Sequence, residues 1–225
     1  MTTSNPDIVW TPARKAILVA LLAVQFTAAF IIGYWELLAT TDTSLIRPIA
    51  VTAFIPVALF LSAYALAPRF RAFVLAQDIR TLTMMQHWRV LGFTFLPLYV
   101  FGDLPALFAI PAGVGDVAIG IAAIFIIARI DRDPDFLTSA GLVRFHLLGL
   151  LDFVVAVSAA GLAAGAYPAL IPNGVTAGAM EVWPLNIFPS FGVPAFIIVH
   201  LTVLLNVAHQ RRLARQDAGG SAQVA

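Results

Sequence analysis

The chain has no cysteine and little charge: 11% of its 225 residues are Asp, Glu, Lys or Arg. Without cysteine there can be no disulfide, thiolate metal site or thiol nucleophile. The scarcity of charge excludes a water-soluble fold, because such domains carry about 25% charged residues. Hydrophobic residues make up 60% of the chain and mean hydropathy is +0.92, so the apolar surface must face lipid. No basic stripe or nucleic-acid motif is present, which argues against nucleic acid as a partner. No HExxH or comparable spacing points to a metal. Ser62, Ser158 and Ser190 lie in unrelated contexts, so no catalytic residue is assigned and the chain reads as a non-enzyme. Residues 1–12 are polar and no small-residue cleavage site follows the first apolar run, which reads as a retained span.

What is present is a series of long apolar runs. Crossing about 30 Å of hydrocarbon at 1.5 Å per residue takes roughly 20 residues. Spans are expected over residues 17–38, 48–67, 87–101, 116–129, 145–166 and 188–208, an all-α polytopic bundle of six transmembrane helices. A polar turn at 40–44, an interfacial amphipathic helix over 69–86 and an external loop over 167–185 connect them. The domain organisation is a cytoplasmic segment 1–16, one transmembrane domain 17–209 and a disordered cytoplasmic tail 210–225. Charge placement tests the map. With both termini in the cytoplasm, Arg14, Lys15, Arg69, Arg71, Arg80, Arg89, Arg129, Arg132, Arg144, Arg211, Arg212 and Arg215 are all inside. Of the 13 basic residues only Arg47 falls outside, as the positive-inside rule requires.

Ionisable residues within spans are costly and tend to face the protein interior. Asp152 lies about 12 Å from Arg144 along its helix, and His200 about 16 Å from Arg211, so the two share a depth on consecutive spans. A direct Asp152–His200 contact is expected, with Arg89 able to reach Asp152. It reads either as a polar centre that binds a solute or handles protons, or as a hydrogen-bonded pair pinning two helices. His87 and His146 match in depth near the inner boundary and raise a b-type haem as an alternative; no cofactor is otherwise expected. The segment 104–115 is short and interrupted by proline and glycine. Asp116 after it complements a helix dipole, or else the segment dips back and lines a cavity through Pro111, Gly113, Gly115 and Asp116. Gly161 and Gly165 form a GxxxG that suits close packing within the chain or a homo-oligomer seam.

Four stretches carry a resemblance: Trp88-Arg89-Val90-Leu91-Gly92, the run from Leu104 to Asp116 (LPALFAIPAGVGD), Gly149-Leu150-Leu151-Asp152, and Val193-Pro194 through to His200. Over roughly residues 70–208 the chain resembles an uncharacterised family of small bacterial inner-membrane proteins. The resemblance implies a multi-pass location and a helical fold, and transfers no activity or substrate. Three functions stay open: a transporter-like or channel-like protein built on the Asp152, His200 and Arg89 centre; a haem-carrying redox subunit; and a non-catalytic membrane scaffold.

Overall fold

A computed structural model describes residues 11–41, 45–171 and 173–222. Part of the expected 40–44 turn, the first ten residues and the end of the tail lie outside the described residues. Every regular element described is helical, and five helices are long and apolar enough to cross a membrane. Helix α1 (Pro12–Tyr34) starts where the Thr11 hydroxyl caps the Arg14 N–H at 3.3 Å, with Pro12 in the first turn. Helix α2 (Ile49–Leu66) is apolar all round, and α3 (Pro68–Leu75) turns off it at a proline.

The next element departs from expectation. The carboxylate of Asp78 caps Thr81 N–H at 2.8 Å and starts α4 (Ile79–Met85). The chain then passes without a break through a 3-10 stretch (Gln86–Thr94) into α5 (Phe95–Val100), with helical dihedrals at Met85, Gln86, Thr94 and Phe95. The expected interfacial helix therefore ends at Leu75, and its remainder continues into the run expected as the third span. A 3-10 turn rises about 2.0 Å per residue, so residues 86–100 cover roughly 27 Å where an α-helix would cover about 22 Å. In a 3-10 helix residues three apart eclipse. Thr83, Gln86, Arg89, Gly92 and Phe95 accordingly form one buried face.

A second correction concerns 104–115. It is no broken or re-entrant segment: Ala106–Arg132 is one helix, α6, entered from Pro105 and running through Pro111. Pro111 has no N–H to give the Leu107 carbonyl four residues before it, yet the helix continues past it. Helix α7 (Ala140–Leu162) is capped by the Ser139 hydroxyl. Helix α8 (Val193–Ala222) follows a π-turn over Phe188–Gly192. Pro194 has no N–H for the Ser190 carbonyl four residues before it, and the Gln25 side chain from α1 donates there instead, at 3.2 Å. The region expected as a disordered tail continues α8 to Ala222, because Gln, Arg, Leu and Ala favour helix.

Two apolar clusters mark the ends of the bundle. Ile79, Ile130, Leu142, Val203 and Val207 pack at one end; Phe95, Leu104, Phe108, Ala163, Ala177 and Met180 pack at the other. The run from Ile79 to Val100 connects them, so it traverses the bundle as the five long helices do. Outward faces are apolar, as at Val19, Val24, Leu59, Phe125 and Val154, all exposed.

Candidate functional site

Arg89 comes off the 3-10 stretch into the centre of the bundle, its side chain 1% exposed. Its Nε donates to Asp116 Oδ1 on α6 at 2.8 Å. One Nη donates to Asp152 Oδ2 on α7. The other donates to the Gly149 carbonyl at 3.1 Å and meets His200 Nε2 on α8 at 3.2 Å. The guanidinium lies 3.9 Å from the centroid of the Phe153 ring, a cation–π contact. One side chain thus ties together the 3-10 stretch, α6, α7 and α8.

The expected centre of Asp152, His200 and Arg89 is assembled, but in a different order. No direct Asp152–His200 hydrogen bond forms; Arg89 stands between them and bonds both. A guanidinium is donor-only, so His200 Nε2 must accept and its proton sits on Nδ1. His200 Nδ1 then donates to His146 Nδ1 at 2.7 Å. His146 carries its proton on Nε2 and donates to Thr83 Oγ1 at 3.2 Å. The Thr83 hydroxyl donates to the Ile79 carbonyl at 2.7 Å. Every bond points the same way, and each ring nitrogen is used once with both rings neutral. Arg89 does not give up a proton, so the row offers no hydrogen-bonded proton path through Arg89 between the histidines and the carboxylates. The two histidines hold Arg89 in place. The same bonds engage both nitrogens of His146, and His87 Nδ1 faces the Gly120 carbonyl at 3.2 Å.

Three glycines let these side chains in. A Cβ on Gly149 would collide with the His200 ring, one on Gly92 with Asp116 and one on Gly115 with Asp152. Asp116 sits well inside α6, not at its start, so the dipole role falls away. Its carboxylate instead reaches a cavity of about 900 Å³ lined almost wholly by apolar side chains. Among the expected cavity-lining residues only Asp116 lines it, joined by Arg89; Pro111, Gly113 and Gly115 do not. Gly113 packs on Leu96, and Gly115 receives Asp152. Arg144 is exposed.

Arg47 and Glu181 line the same cavity away from Arg89. Glu181 is 3% exposed; Arg47 donates to both its oxygens, and Thr40 N–H donates to Oε2 at 3.0 Å. The charge of Arg47 is thus answered by a buried carboxylate. The loop leading to Arg47 rests on Gly161, where a Cβ would lie 2.6 Å from the Leu45 carbonyl oxygen. Half of the GxxxG is therefore occupied within the chain, and Gly165 lies beyond α7 at φ +106°. Sequence reasoning missed Thr83, Gln86 and Glu181; the period-three row of Thr83, Gln86 and Arg89 was the available signal. Among the described residues no cluster of three or more His, Asp or Glu could hold a metal.

Comparison with curated proteins and with solved structures finds no match. A family model does match, over residues 46–208, a stretch that contains every residue of the Arg89 centre and both members of the Arg47–Glu181 pair. The chain belongs to that family, the Domain of unknown function (DUF8737).

Proposed function

We propose that this is a six-span protein of the bacterial inner membrane, with both termini cytoplasmic, that binds a lipid-soluble ligand in the cavity against Asp116 and serves a transporter-like role. The observation that carries the ligand reading is the cavity itself. Ligand pockets are mostly apolar with a few placed polar groups, and about 900 Å³ is near the top of their usual range. The reading of six spans takes the five long helices together with the run from Ile79 to Val100. Contacts at the inner end support the orientation. Arg80 pairs with Asp131 at 2.6 Å, and Arg211 donates to the Thr138 carbonyl at 2.6 Å, which gathers the basic segments at one end. The loops holding Arg47 and Glu181 then belong to the opposite end.

Trp88 lines the cavity and reports on its contents. In lipid nanodiscs, bromododecanol should quench tryptophan fluorescence saturably in the natural protein. Ala156→Phe, which puts a ring into the cavity, should leave only the linear quenching expected from lipid partition. Identical linear quenching in both proteins rejects the ligand reading.

A further inference from the structure

We infer that the cavity selects an amphiphile with a cationic head, held at the Asp116 carboxylate, and that this cation and one proton exclude each other from the centre. The inference rests on the cavity reading above and adds the sign of the head group.

Donors at this end of the cavity are already engaged. Of the five N–H groups of a guanidinium, four of Arg89 go to Asp116, Asp152, the Gly149 carbonyl and His200. An anionic or carbonyl head would meet little that can donate to it. Acceptors, by contrast, are left over. Asp116 uses Oδ1 and Asp152 uses Oδ2 on Arg89; among the described residues neither Asp116 Oδ2 nor Asp152 Oδ1 accepts a hydrogen bond. Both carboxylates keep some exposure, 16% and 12% of the side chain, while Arg89 is closed off at 1%.

The charge count chooses between the two kinds of head that suit an acceptor. One guanidinium faces two carboxylates. The direction of the histidine bonds makes His200 and His146 neutral, so neither offsets the surplus. Helix α2 contributes apolar wall at Ile49 and Ala53, and the Arg47–Glu181 pair is neutral in itself with its carboxylate fully engaged. A lone negative charge in apolar surroundings demands a counter-charge. A proton on either carboxylate supplies it, or a cation does. A cation entering the cavity therefore displaces one proton to water, with no other bond made or broken.

The test uses three probes that share one tail: bromododecyl-trimethylammonium, bromododecanol and bromododecanoate. Each is titrated into nanodiscs by tryptophan quenching, with a pH-indicator dye following protons in weak buffer. The ammonium probe should bind tightest and the carboxylate weakest, with about one proton released per ammonium bound. Asp152→Asn keeps an acceptor for Arg89 and brings the centre to charge balance. It should weaken ammonium binding about tenfold, the loss of the surplus charge that attracts the cation, abolish proton release and leave the alcohol unaffected. An alcohol or carboxylate probe that binds as well as the ammonium overturns the inference and leaves the cavity reading intact. Absence of any saturable quenching that Ala156→Phe removes overturns both. Ammonium binding unchanged in Asp152→Asn also overturns it, since the surplus charge would then not be the attraction.

Discussion

Two buried carboxylate–arginine sites face one cavity and differ in how fully the carboxylates are used. Both oxygens of Glu181 are engaged, by Arg47 twice and by the Thr40 N–H. Asp116 and Asp152 share one guanidinium and use one oxygen each. The first site ties the loop before α2 to the loop before α8, and leaves neither carboxylate oxygen without a donor. The second is braced from behind by His200, His146 and Thr83, and retains acceptors. A saturated ion pair holds a fold together, whereas a braced but unsaturated one can still take a ligand.

The largest break in this contrast comes from Glu181→Leu. It strips Arg47 and the Thr40 N–H of a shared acceptor in a site where Glu181 is 3% exposed. Removing one partner of a buried pair costs about 3–5 kcal/mol. Thermal unfolding in detergent should show a large loss of stability or a protein that does not accumulate. A variant melting like the natural protein would mean that the pair does not hold these two loops together.

How much of this was legible beforehand depends on what each residue signals. Run lengths and basic residues sufficed for the all-helical reading, because lipid imposes length and charge directly. The run from Ile79 to Val100 was misdivided because Thr83 and Gln86, close to Arg80, look like part of the polar stretch of an interfacial helix. They point inward, and only their spacing of three, the period of a 3-10 helix, says so. Pro111, Gly113 and Gly115 look like breakers, yet here the glycines admit Leu96 and Asp152 and the helix runs on. Asp152, His200 and Arg89 could be singled out by the cost of placing them in a span. Their order could not, since it depends on how far a long arginine reaches between two helices. Glu181 lies in a loop and carried no sign that it would be buried.

Two substitutions of intermediate size probe the brace behind Arg89. Gly149→Ala drives a methyl group into the His200 ring, an overpacking that costs about 1–3 kcal/mol. His146→Leu leaves the His200 Nδ1–H without its acceptor, again about 1–3 kcal/mol. Both should lower the melting temperature, and Gly149→Ala should also disturb quenching at Trp88, because the His200 ring it displaces bonds Arg89 directly. Equal melting of either variant and the natural protein would show that the histidine row is not a brace.

The smallest effect is the most discriminating. Asp152→Asn removes a carboxylate from a buried arginine, as Glu181→Leu does, and by that likeness alone it should be as damaging. The difference between the sites predicts otherwise. Arg89 keeps Asp116 through Nε, and the amide oxygen of the introduced asparagine can accept from the Nη that now bonds Asp152. What disappears is the surplus negative charge, whose burial opposes folding. Stability should therefore change by less than about 1 kcal/mol, or rise. A drop comparable to that of Glu181→Leu would mean that Asp152 is as necessary to Arg89 as Glu181 is to Arg47, and the two sites would then differ in position only.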